Sequence, residues 1–150
     1  MRRISLVLAL ALLACGLLAA PRYLTSRPAS NPDFVHFESP HVHPACLTPS
    51  GDRLLVVNTP DNRLTVFNVT GSIPVREAEI FVGLEPVSVC AADDSTAWVV
   101  NLLSDDVSVV DLNTMNVKAT LRVGDEPGDV VFAGTPTRAY VSVGGQDAVK

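Results

Sequence analysis

The sequence predicts an all-β fold, a β-propeller built of four-stranded blades of about 42 residues each. Three observations carry this. "VGLEP" at 82–86 returns as "VGDEP" at 123–127, so a joint recurs after 41 residues. Each unit holds four short runs rich in Val, Leu, Trp and Tyr, separated by Gly, Asp, Asn, Pro and Ser. Several runs, such as "LLVVN" and "AWVVN", are apolar on both sides, as strands buried on both faces are.

The elements follow in register when Pro44, Pro86 and Pro127 are aligned. The first runs are "ACLT" (45–48), "VSVC" (87–90) and "GDVV" (128–131). After a turn come "LLVVN" (54–58), "AWVVN" (97–101) and "AYVSV" (139–143), in which Asn58 and Asn101 match. The third runs are "LTVFN" (64–68), "VSVVD" (107–111) and the start of a third copy at 149–150. The fourth are "REAEIFVG" (76–83) and "NVKATLRVG" (116–124). A plain β-sandwich would not reproduce the Pro, Asn and Val-Gly positions in register.

Upstream, residues 1–20 read as an export leader, with Arg2 and Arg3 before an apolar stretch. "LLAC" at 12–15 has the form of a bacterial lipobox and makes Cys15 a candidate lipidation site. Ordinary cleavage after Gly16 and an uncleaved anchor are the alternatives. Each places the protein outside the cytoplasm, in the periplasm or on the outer surface. Residues 21–33 hold three prolines among small polar residues and read as a tether to a propeller portion at 34–150. The net charge of −5, with no basic run, disfavours nucleic acid as a partner. Membrane association is expected only through the leader or a lipid on Cys15. Cys46 and Cys90 fall on inner strands of different blades and are expected as small buried thiols rather than a bridge.

"TPSGDRLLVVN", "AWVVNLLSDDVSVVDLNTMNVKATLRVG" and "VGDEPGDVVFAG" with "RAYVSV" resemble the YVTN-family β-propeller repeat of surface-layer type. The likeness runs from about residue 40 to 150. It departs from the family pattern at "SGD", at "ADDS" and at Val143. The resemblance implies a seven-bladed ring. Residues 34–150 supply fewer than three blades, so the expectation is the N-terminal part of a longer protein or a truncated gene product.

Two sets of residues are candidate sites. His41 and His43 are two apart and share a face if extended, and His36 or Glu38 would complete a zinc- or copper-type ligand set. The alternative is an irregular segment with partly exposed histidines. No other cofactor is expected. On the proline alignment, His43, Glu85 and Glu126 take equivalent places at the joint before each blade. In propellers of this kind that joint lies at the mouth of the channel. Asp125 and Asp129 add negative charge, giving a rim suited to a cation or a cationic partner group. The alternative is a solvated acidic loop. Trp98 and Tyr140 are expected in the core, and Asp105 and Asp106 in a solvated turn.

No Ser-His-Asp arrangement follows from spacing, and no CxxCH haem motif occurs. "GDEPGD" lacks the lysine of a phosphate loop. "NVT" at 68–70 matches a glycosylation acceptor but has no meaning behind a bacterial-type leader. The leading expectation is a non-catalytic exported scaffold that binds a protein or envelope component. The competing expectations are a lactonase-type hydrolase and the propeller portion of a haem- or copper-linked redox protein.

Overall fold

The computed structural model describes residues 39–145 and 148–149. The leader, Cys15, the tether, His36 and Glu38 lie outside them. The described residues form eleven strands and no helix. Blade 1 is β1 (Ala45–Leu47), β2 (Arg53–Asn58), β3 (Arg63–Asn68) and β4 (Val75–Phe81). Blade 2 is β5 (Pro86–Ala91), β6 (Thr96–Asn101), β7 (Asp106–Asp111) and β8 (Asn116–Arg122). Blade 3 shows β9 (Pro127–Ala133), β10 (Arg138–Val143) and β11 (Ala148–Val149). Each sheet runs antiparallel in chain order, the meander of a propeller blade.

The strands lie where the runs of Val, Leu and aromatic residues put them. Short turns close them, and Asn62, Asp105 and Met115 in these turns take left-handed backbone angles. Side chains alternate along each strand, so each sheet shows one face to the blade before it and one to the blade after. Leu55, Val57, Leu64 and Val66 of blade 1 meet Val89, Ala97, Val99 and Val110 of blade 2 in one core. Val87, Val100 and Val107 of blade 2 meet Val130 and Val141 of blade 3 in the other. Trp98 packs edge-on to Phe132, with ring centroids 5.5 Å apart. Among the described residues, only blade 2 is covered on both faces. This is why β5 and β7 are buried almost throughout, whereas β2 and β10 alternate.

Inner strands of successive blades also touch directly. Val89 N donates to His43 O at 2.9 Å, within a parallel bridge between His43 and Ser88. The Ser88 hydroxyl donates to Asp129 Oδ1.

The pairing corrects the proline alignment of blade 1. Cys46 lies opposite Leu55, Cys90 opposite Trp98 and Val131 opposite Tyr140. Pro86 and Pro127 each precede a bulge at the start of their strand, whereas Pro44 accepts from Val57 N at 2.9 Å, inside the ladder. Pro44 therefore stands level with Ser88 and Asp129. Counting back, His41 and not His43 stands level with Glu85 and Glu126.

Other expectations change with burial. Tyr140 is 38% exposed, because no further sheet among the described residues packs on its face of blade 3. Asp106 is buried rather than solvated, since it receives the Asn101 amide at 2.7 Å. Cys46 and Cys90 are free thiols, as expected, but only half-buried. Each faces the blade that follows its own, Cys46 in the first core and Cys90 in the second.

Candidate ligand-binding rim

One end of the arc is formed by the β2–β3 and β6–β7 turns and the joints that lead from one blade to the next. A set of hydrogen bonds repeats there. Asn62 O accepts from Val82 N at 3.0 Å, and Asn62 Oδ1 accepts from Glu85 N at 2.9 Å. One unit later, Asp105 O accepts from Val123 N at 3.2 Å, and Asp105 Oδ1 accepts from Glu126 N at 3.2 Å. The joint carbonyls then serve the following turn. Glu85 O and Leu84 O accept from Leu102 N and Leu103 N, as Glu126 O and Asp125 O accept from Gly144 N and Gly145 N. Four bonds per joint thus tie each blade to its neighbour.

This belt fixes the rim residues in an unusual backbone state. Glu85 and Glu126 have φ of 51° and 52°, in the left-handed region. Asn62 and Asp105, at 55° and 59°, are of types that tolerate that region, whereas glutamate has no such ease there. The strain of about 1 kcal/mol per glutamate is held by the four bonds around it.

The carboxylates of the two joints differ in their surroundings. Glu85 Oε2 accepts from Ser39 Oγ at 2.9 Å and is half-buried. Asp125 and Glu126 are exposed beside Gly144 and Gly145. A Cβ at Gly145 would strike the Asp125 carboxylate, so glycine leaves that group its room. Asp129 is spent on Ser88 and on its own neighbour Val130 N, at 2.9 Å, so it belongs to the inner wall and not to the rim.

The histidines do different work. Thr59 Oγ1 gives its proton to Pro86 O at 2.7 Å and lies 2.6 Å from His41 Nε2. With that proton committed, Thr59 can only accept from His41, so Nε2 carries the hydrogen. His41 thus ties the start of blade 1 to the first joint. His43 is exposed, with its backbone in the bridge to β5. Among the described residues, no three His, Cys, Asp or Glu side chains are grouped to hold a metal ion.

Beneath the belt, Asn101 donates to Asp106 Oδ1 at 2.7 Å and to Ser108 Oγ at 2.9 Å. Gly83 lies against it, and a Cβ there would strike the Asn101 amide and Ser104 Oγ. Asn101, Ser39, Asn62 and Asp105 escaped the sequence reading as supports of the rim. The 43-residue spacing of Asn62 and Asp105, both turn-forming residues after a second strand, was the available signal. At the opposite end of the blades, Asp94 Oδ1 accepts from Ser50 N at 2.8 Å and links the first two blades there.

No family model matches the chain, and no curated protein matches it. Solved structures do. Kuenenia stuttgartiensis hydrazine synthase is 24% identical with a TM-score of 0.62, over 75% of this chain and 32% of that one. A functionally unknown protein from Desulfotomaculum acetoxidans is 16% identical with a TM-score of 0.60, over 69% of this chain and 36% of that one. The chain thus spans about a third of the length of each. These likenesses show the fold: all-β, in packed four-stranded sheets.

Proposed function

We propose that the chain is a non-catalytic binding or scaffold module of the bacterial cell envelope, exported by the leader at residues 1–20, with repeats of the YVTN type. Its rim of Glu85, Asp125 and Glu126 takes a cationic group of a protein or envelope component. The observation that carries this reading is the repeated belt, which holds Glu85 and Glu126 at a strained backbone angle in successive joints. Strain kept twice at one place in the repeat is more readily explained by use than by packing. Asp125 and Glu126 are exposed, and exposed carboxylates accept hydrogen bonds and attract cations.

An oligolysine peptide is the probe of this chemistry. Its binding by titration calorimetry should weaken steeply as salt rises. It should be lost in the double variant Glu85→Gln, Glu126→Gln. Binding that is unchanged in that variant would defeat the rim reading. Hydrolysis of a sugar lactone by the same protein would move the assignment to a hydrolase.

A further inference from the structure

At the end opposite the rim, the joint between blades 1 and 2 opens into a cavity of about 280 Å3. Its lining includes Thr48, Ser50, Asp52, Arg53 and Asn68 of blade 1 and Asp94 of the β5–β6 turn. Thr48, Arg53 and Asn68 each lie two residues along the chain from Cys46, Leu55 and Val66, which pack in the core between these two blades. Side chains two apart on a strand share a face, so the cavity belongs to a closed joint and not to an open face of the arc.

The cavity carries charge of both signs. Ser50 stands between two carboxylates: its N–H donates to Asp94 Oδ1 at 2.8 Å, and its Oγ accepts from Asp52 N at 3.3 Å. Among the described residues, the Asp52 carboxylate meets no donor, and Asp94 uses only Oδ1. Arg53 donates Nε–H to Glu77 Oε2 at 2.8 Å, and Asn68 donates to Glu77 Oε1 at 3.1 Å. These bonds fix the guanidinium plane and leave its terminal nitrogens for a further acceptor.

Blade packing does not require this set. Thr96 pairs with Asp111 as Arg53 pairs with Asn68, and Lys118 sits in the bulge of β8 as Glu77 sits in that of β4. In blade 2, Lys118 Nζ donates to Thr96 Oγ1 at 3.2 Å, and Ser95 takes the place of Asp52. Of these two blades, only the first has the arginine and the free carboxylate.

We infer that this cavity binds a small zwitterion of the α-amino acid type. Its ammonium group lies between Asp52 and Asp94, and its carboxylate takes the terminal N–H groups of Arg53. Hydrogen bonds between ionised partners are the stronger ones, and a guanidinium meets a carboxylate with two in parallel. Glu77 balances Arg53, so Asp52 and Asp94 leave the cavity negative. The ammonium is therefore the anchor, and the carboxylate gives selectivity over a plain amine.

The test uses the full chain, expressed with its own leader, recovered after export and labelled with nitrogen-15. The Ser50 amide and the Arg53 Nε–H signals are followed as glycine is added. Glycinamide, which lacks the carboxylate, and N-acetylglycine, which lacks the ammonium, are then tried in turn. Glycine should move both signals to saturation, and each analogue should bind about ten-fold more weakly or less. Asp52→Asn, at an exposed position, should weaken glycine by a similar factor while the rest of the spectrum stays in place. No saturable response to glycine would overturn the proposal. Glycinamide binding as tightly as glycine, or Asp52→Asn binding as tightly as the parent, would overturn it as well. Saturation by calcium chloride without a response to glycine would make this a simple cation site and overturn it too.

Discussion

Asn62 holds the backbone of Glu85, a residue of the next joint: its Oδ1 takes the Glu85 amide at 2.9 Å while its own φ sits at 55°. Asp105 does the same for Glu126. One short side chain thereby makes a tight turn, caps an otherwise open amide and presents a carboxylate at the rim.

Asn62→Ala and Asp105→Ala should each lower stability by about 1–2 kcal/mol. Each loses a hydrogen bond and places alanine in the left-handed region. Urea unfolding measures this. Because the two sites serve different joints, the double variant should be close to additive.

Gly83→Ala should cost about 1–3 kcal/mol, since its methyl would strike the Asn101 amide and Ser104 Oγ. The same change should cost less in an Asn101→Ala background. A double-mutant cycle by urea denaturation reads the coupling. A cycle with no coupling would show that Gly83 is not held by this contact.

Trp98→Ala should destabilise by about 3 kcal/mol, by opening the joint between blades 2 and 3. The fluorescence of Trp98, the single tryptophan, reports the same joint. Phe132→Ala should shift its emission to the red without unfolding the protein.

Burial pushes the Cys46 thiol up to about 11, a rise that the Ala91 backbone partly opposes. A thiol with a higher pKa folded than unfolded stabilises the fold while it is neutral. That contribution is complete below about pH 9 and disappears as the pH rises through about 11. Stability should therefore fall over this alkaline window, and fall less in Cys46→Ala. Denaturant midpoints measured across the window check it. At neutral pH, thiol reagents should label Cys46 slowly until the protein unfolds.

The blades were legible because their evidence is periodic. Runs of Val and Leu, with turns between them, placed all eleven strands, and "VGLEP" and "VGDEP" marked the joints. Where sequence and structure differ, a local feature points away from the ladder. Pro44 resembles Pro86 and Pro127 in sequence, but two residues separate it from their place in the sheet. Tyr140 resembles Trp98, yet burial depends on what lies opposite, which composition does not show. Glu85 and Glu126 stand out in the sequence by their position in the joint. Their left-handed backbone and the Asx side chains that hold them are tertiary facts, because the partners lie 23 and 21 residues apart.

Successive blades stack with their first strands side by side and parallel. A nuclear Overhauser spectrum of the labelled protein tests it most directly. A cross-peak is expected between the His43 α-proton and the Val89 amide, and another between the Trp98 and Phe132 rings. Intact cross-peaks within each hairpin, with neither of these two present, would show that the strands form but the blades do not stack, and would contradict it.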